Sequence, residues 1–262
     1  MSAAETDVLV ARLRAAGCVF AEEEAALLRQ AAAEGGDLEE LVAARVAGRP
    51  LEHVLGHATF DGLRVAVAPG VFVPRQRSLL LVELAARIAP PGGAVLDLCC
   101  GSGALLAALR RRRPDVVGLA ADLDPDAVAV ARRNLPGVPV WEGDLFDAVP
   151  SRWHGRLDVV VANAPYVPSD AVALMPAEAR DHEHRLALDG GPDGLALHRR
   201  LLAQWRPWAA PDAVLLVEAA PRQVPELARI AAAHGLRAEA HSQEERGGLA
   251  VEVRLAATRG IR

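Results

Sequence analysis

From residue 79 onward the chain is cut into short apolar runs, each the length of a single strand, and most are separated by stretches with helical periodicity. The runs are Ala94–Leu98, Val116–Ala121, Val138–Trp141, Leu157–Ala162, Ala213–Glu218, Leu236–Ala240 and Leu249–Leu255. This alternation leaves few folds open. Parallel neighbours in one sheet need a crossover of about a dozen residues or more, and the intervening helices supply it. The expected result is one mostly parallel sheet with helices on both faces. The last pair breaks the pattern. Only the polar stretch Ser242 to Gly248 joins them, too short for a crossover, so these two strands are predicted to pair antiparallel.

Three short helices are predicted before the sheet. Leu9, Leu13 and Ala16 recur on one helical face that Gly17 can end, Ala21 to Glu34 forms a second stretch, and Leu38 to Ala47 a third, closed by Gly48-Arg49-Pro50. Thr59 to Val67 reads as extended chain around an Asp61-Gly62 turn, and Val71 to Pro74 is extended again after Pro69-Gly70. The expected organisation is a helical domain over 1–57, a β-hairpin linker over 58–75 and an α/β domain over 76–262.

Composition narrows the function classes. Hydrophobic residues make up 52% of the 262 positions, enough for a sizeable core, while the net charge is −5. An acidic balance argues against a domain that wraps nucleic acid. Cys18, Cys99 and Cys100 form no Cys-x-x-Cys spacing and are odd in number, so neither a disulfide framework nor a structural zinc site is expected. Acidic residues interrupt the N-terminal region and no apolar stretch reaches about 18 residues. A cytoplasmic setting, with no metal and no membrane, fits these features.

A ligand site is expected where the first strand of the sheet ends. Val95-Leu96-Asp97-Leu98 runs into Cys99-Cys100-Gly101-Ser102-Gly103, and a helix, Ala104–Arg112, follows. In an open α/β sheet this strand end is the usual crevice, and Gly101 and Gly103 let the backbone turn sharply against a ligand. The second strand ends on Asp122, 19 positions beyond Gly103, near the spacing of about 20 for an acid that binds ribose hydroxyls. Asp124 reads as the cap of the next helix, with Pro125 at its first position. After the third strand, Asp144 can bond an adenine amino group with Leu145 against the ring, although a plain turn role also fits. The third glycine of a dinucleotide fingerprint is replaced by Leu106, and Asp97 would repel a diphosphate. A cationic adenosyl ligand, S-adenosylmethionine (SAM), fits better than NAD. Seven strands with the last one antiparallel agree with that choice: a Rossmann-like, class I SAM-dependent methyltransferase domain.

The fourth strand ends in Asn163-Ala164-Pro165-Tyr166, and Tyr166 is the single tyrosine of the chain. The group suits an amide acceptor, whose nitrogen lone pair is delocalised. Asn163 can accept one N–H through its side-chain carbonyl, the Ala164 backbone carbonyl can accept the other, and Tyr166 can pack on the planar acceptor. Positioning then carries the displacement, with no metal and no strong base.

With these motifs the chain resembles the protein-(glutamine-N5) methyltransferase family, which modifies peptide-chain release factors. The resemblance includes Arg49-Pro50-Leu51, Phe60-Asp61-Gly62-Leu63, Pro69 to Arg75, Gly143-Asp144-Leu145-Phe146 and Ala187 to Leu195. It implies a helical substrate-recognition domain, a hairpin linker and a SAM-binding catalytic domain. It also implies that Asn163 to Tyr166 hold the acceptor glutamine and that Asp122, Leu145 and Asn163 touch SAM. Four motifs depart from the family pattern: Ala164 stands for a proline, Cys99-Cys100 for Gly-Thr, Gln76-Arg77-Ser78-Leu79 for Pro-x-Thr-Glu, and His184 for a proline after Glu183. Two alternatives stay open, an adenine-N6 methyltransferase on nucleic acid and a SAM-binding paralogue without turnover. A small-molecule N-methyltransferase would leave the helical region without a task. His53 and His57, the Asp181–His184 stretch and Arg110–Arg113 read as core, loop and solvated-face residues respectively, rather than as metal or phosphate sites.

Overall fold

The computed structural model describes residues 3–256; the outer ends of the expected first and last domains lie outside these described residues. Four helices come first: α1 (Ala3–Ala15), α2 (Ala21–Ala33), α3 (Leu38–Val46) and the five-residue α4 (Leu51–Leu55), which the sequence reading did not separate. Asp37 caps α3 by accepting from Glu40 N. Leu9, Leu13, Ala25, Leu28 and Val42 close a small core of their own among these helices.

Strands β1 (His57–Phe60) and β2 (Leu63–Ala66) pair antiparallel around Asp61-Gly62, both at positive φ (50° and 71°). That is the backbone a two-residue turn of type I′ needs, which is why Asp-Gly marks it in sequence. Val71 to Pro74 pairs with no strand.

The main sheet holds seven strands: β3 (Ala94–Leu98), β4 (Val117–Asp122), β5 (Val140–Glu142), β6 (Leu157–Ala162), β7 (Ala209–Glu218), β8 (Leu236–Gln243) and β9 (Gly248–Leu255). Their order is β5-β4-β3-β6-β7-β9-β8. β9 runs antiparallel to both neighbours, inserted between β7 and β8, and the rest are parallel. Helices α5 (Leu79–Ile88), α6 (Ala104–Arg112), α7 (Pro125–Asn134), α8 (Ala177–His182), α9 (Ala196–Gln204) and α10 (Val224–Ala233) complete the chain. All five residues of β3 are buried, as a strand covered on both faces requires. Alternate residues feed two cores: Leu96 and Leu98 pack with Phe146, Trp205 and Leu215, whereas Val95 packs with Leu81, Leu106 and Val161.

The run Arg110–Arg113 is more than the solvated face expected of it. Arg112 forks onto Asp61 at 2.5 and 2.7 Å and Arg111 donates to the Asp61 carbonyl, tying the hairpin to the end of α6. Arg113 pairs with Asp115 and with the carbonyls of Ala86 and Ala89 that close α5. A guanidinium there also offsets the α5 dipole.

Candidate active site

A cavity of about 1110 Å³, counting its open mouth, lies over the carboxyl ends of β3, β4, β5 and β6. The chain reverses strand order around β3, and this is the crevice that a parallel sheet leaves at such a point. Its wall contains Cys99, Cys100, Gly101, Ser102, Asp122, Asp144, Leu145, Asn163 and Pro165 from the predicted set.

Asp122 is placed by two backbone donors. Gly101 N–H reaches Oδ2 at 2.8 Å and Asp124 N–H reaches Oδ1 at 2.9 Å. Each oxygen keeps a further lone pair for a hydroxyl donor. Burial pushes the Asp122 carboxyl above the usual range, and these N–H groups counter it in part. Asp124 caps α7 by accepting from Asp126 N, with Pro125 in the first turn, and its other oxygen meets His184 Nδ1 at 2.6 Å. It also lines the cavity.

Two non-glycine residues on the wall hold left-handed backbone, Cys99 at φ 54° and Leu145 at φ 49°. Such conformations cost of order 1–3 kcal/mol and gather at ligand clamps. Gly101, also left-handed, has open space where a side chain would begin, so its backbone can meet a ligand directly.

Other predicted residues stand off the wall. Asp97 is 0% exposed behind the loop, accepting only from Leu106 N at 3.3 Å, with Oδ1 unpartnered. Gly103 begins α6 packed against Leu135, 2.7 Å from where a Cβ would sit. Ala164 is fully buried. Tyr166 is outside the cavity lining; its hydroxyl donates to Glu218 Oε1 at 2.9 Å. Burial, and then the Glu218 charge, push its phenol up.

The structure adds Phe72, Pro74 and Ser78 from the segment before α5, and Leu197 and Arg200 from α9. Arg200 pairs with Asp144 at 2.6 Å, and the Asp144 side chain caps no turn. Glu218 at the end of β7 also escaped the sequence reading, although it carries the same signal as Asp122, an acid closing a parallel strand. Arg200 gave no such signal: one arginine among 29 basic residues on a helix is not distinguishable.

The wall therefore offers three carboxylates, Asp122, Asp124 and Asp144, against one guanidinium, Arg200, among mostly apolar side chains. That balance suits an adenosyl group bearing a sulfonium and an ammonium, and disfavours a polyphosphate.

Fold and cavity together match the class of seven-stranded SAM-dependent methyltransferases. The family described as Methyltransferase small domain matches residues 62–187. A release factor glutamine methyltransferase from Geobacter sulfurreducens is 37% identical over 182 residues, 68% of this chain and 63% of its own length. One from Bradyrhizobium diazoefficiens is 33% identical over 241 residues, 82% of this chain and 81% of its own. The chain belongs to the release factor glutamine methyltransferase family. Against the Geobacter relative the match stays below two thirds of that protein's length. Among solved structures, a methyltransferase from Pyrococcus furiosus shares the fold, with a TM-score of 0.55 at 16% identity over 73% of this chain and 87% of that one.

Proposed function

We propose that this protein transfers a methyl group from SAM to the side-chain amide nitrogen of a glutamine in a protein, the Gly-Gly-Gln loop of a peptide-chain release factor. The observation that carries this reading is Asn163: it leaves the end of β6 beside the β3 loop and reaches the wall of the cavity that Asp122 and Gly101 shape. When bound, SAM supplies the electrophilic methyl group. Asp122 would hold the ribose hydroxyls, the loop Cys99–Gly103 would meet the methionine part with Asp97 behind it, and Leu145 and Asp144 would hold the adenine. Asn163 Oδ1 accepts one amide N–H of the substrate, which turns the nitrogen lone pair toward the methyl; the Ala164 carbonyl, expected to take the other, belongs to a fully buried residue and is assigned no contact. Pro165 and Tyr166 stiffen this segment. The amide sheds its extra proton after methylation, so no strong base is required, and no metal is assigned a part.

In this reading residues 1–57 recognise the protein substrate, 58–75 link, and 76–262 catalyse. The helical core of its own and the Asp61–Arg112 tie support that division. No helix among the described residues is long and apolar enough to cross a membrane. A cytoplasmic setting is part of the proposal, and so is a protein rather than nucleic-acid substrate, in line with the net charge of −5.

The test is transfer from labelled SAM to purified release factor, beside a version whose loop glutamine is alanine. Label is expected on the intact factor only. Asn163→Ala is expected to slow transfer by roughly 10²–10³-fold, the cost of losing one preorganised polar contact at a reacting group. Its SAM affinity should stay within a few-fold. Unchanged turnover in that variant would remove Asn163 from the mechanism, and label on an adenine-containing oligonucleotide instead would replace the substrate.

A further inference from the structure

Among the buried carboxylates that the mechanism above leaves unused, one stands next to the acceptor segment. Glu218 closes β7, is 3% exposed, and stands beside the acceptor segment, since Val217 pairs with Ala162. Three side chains donate to it: Ser78 Oγ to Oε2 at 2.5 Å, Tyr166 Oη to Oε1 at 2.9 Å, and Arg77 Nε to Oε1 at 2.9 Å. Ser78 Oγ in turn lies 3.2 Å from Asn163 Nδ2. Arg77 stands beside both Glu218 and the Tyr166 ring.

The direction of donation along this chain is forced. An ionised carboxylate only accepts, and a serine has one hydroxyl proton. That proton goes to Glu218, so toward Asn163 the serine has only a lone pair to offer. Asn163 must answer with its NH₂, which leaves Oδ1 as the end available to a substrate. The two ends of a carboxamide are nearly the same shape, and packing alone does not separate them. In the reversed orientation an NH₂ would meet the substrate NH₂, donor against donor. The same carboxylate also anchors the other end of the segment through the Tyr166 hydroxyl.

We infer that Glu218 is a positioning residue for methyl transfer: through Ser78 it sets which end of the Asn163 amide faces the acceptor, and through Tyr166 it fixes the far end of the acceptor segment. The inference rests on Asn163 being the ligand of the substrate amide, as proposed above.

Glu218→Gln tests it with little change of shape. A glutamine amide can donate to Ser78, which frees the serine proton for Asn163 Oδ1 and reverses the chain. The expected result is a fall in kcat of roughly 10²-fold, the scale of a misdirected reacting group. KM for the release factor and the SAM affinity by calorimetry should each stay within about threefold. Ser78→Ala should slow kcat as well, Ser78→Thr should recover most of that loss, and the Ser78→Ala and Glu218→Gln effects should be less than additive. Wild-type kcat in Glu218→Gln would overturn the inference, as would a kcat loss matched by equal losses of SAM affinity and melting temperature. A second readout does not need turnover. The Asn163 side-chain NH₂ resonances, assigned by their loss in Asn163→Ala, should be protected from exchange in wild type and lose protection in Glu218→Gln and Ser78→Ala. Unprotected NH₂ resonances in the wild type would refute the relay. Protected ones in an enzyme that leaves release factor unlabelled would refute the substrate instead.

Discussion

At Asp97 burial and ionisation oppose each other. Its carboxyl is pushed well above the ordinary range by burial, relieved only by the Leu106 N–H and raised further by the Asp122 charge. Below the ordinary carboxylate value folded and unfolded chains both hold the proton, and Asp97 costs no stability. Above it the unfolded chain ionises while the folded chain stays protonated, so stability falls as pH rises until the raised folded value is passed. Asp97→Asn removes this loss. Thermal melts of the ligand-free variant should match wild type at about pH 4 and exceed it by a margin that widens as pH rises from there. A margin that stays constant with pH would show that Asp97 ionises normally in the fold.

Among the elements, the loop between Leu188 and α9 explains a glycine pattern that composition does not. Gly190 lies against the acceptor segment: a Cβ there would fall 2.7 Å from the Pro165 carbonyl oxygen and 2.8 Å from Tyr166 Cα. Its N–H donates to the Val167 carbonyl at 2.8 Å. Gly194 faces the Tyr166 carbonyl in the same way, and Gln223 Nε2 reaches that carbonyl at 2.9 Å. The backbone of one loop is thus packed on the backbone of the other, with no room for a methyl group. Gly190→Ala should push the segment from Asn163 to Tyr166 out of place, lowering stability by about 1–3 kcal/mol and kcat by more than tenfold. Calorimetry should find the SAM affinity nearly unchanged, since Asp122 and Gly101 are carried by other strands. Full turnover in this variant would mean that the segment tolerates displacement.

At the scale of the whole molecule, the helical region is joined to the sheet domain by a buried charge cluster. Arg45 on α3 is 7% exposed and pairs with Glu24 on α2 at 2.6 Å and with Glu178 on α8 at 2.7 Å. His53 bonds the Val71 carbonyl at 2.9 Å nearby, and Glu183, after α8, accepts from Val73 N and Arg75. Removing one partner from a buried pair leaves the other charge uncompensated and costs about 3–5 kcal/mol. Arg45→Met should therefore loosen helices α1 to α4, seen as faster amide exchange there, while exchange in β3 and β6 and the SAM affinity stay as in wild type. Equal loosening throughout would show that the two regions unfold as one unit.

Much of this organisation is set by local rules that sequence displays directly. Strand and helix alternation, the Asp61-Gly62 turn, the Asp124-Pro125 helix start and the glycine loop each follow from backbone preferences over a few residues. The bounds of β3, β6 and α6 and the antiparallel final pair were legible for that reason. Asp122 and Asp144 were legible as crevice residues too, because a parallel sheet presents its carboxyl ends to one crevice. Tertiary packing decided the rest. Asp97 and Tyr166 belong to the right motifs yet stand off the cavity wall, since the loop covers one and Glu218 draws away the other. Arg200, Ser78 and Glu218 come from distant parts of the chain, and only the folded sheet brings them to Asp144 and Asn163. Side-chain hydrogen bonds across 56 to 140 positions have no local signature. Their direction and partners exist only once the strands are in register.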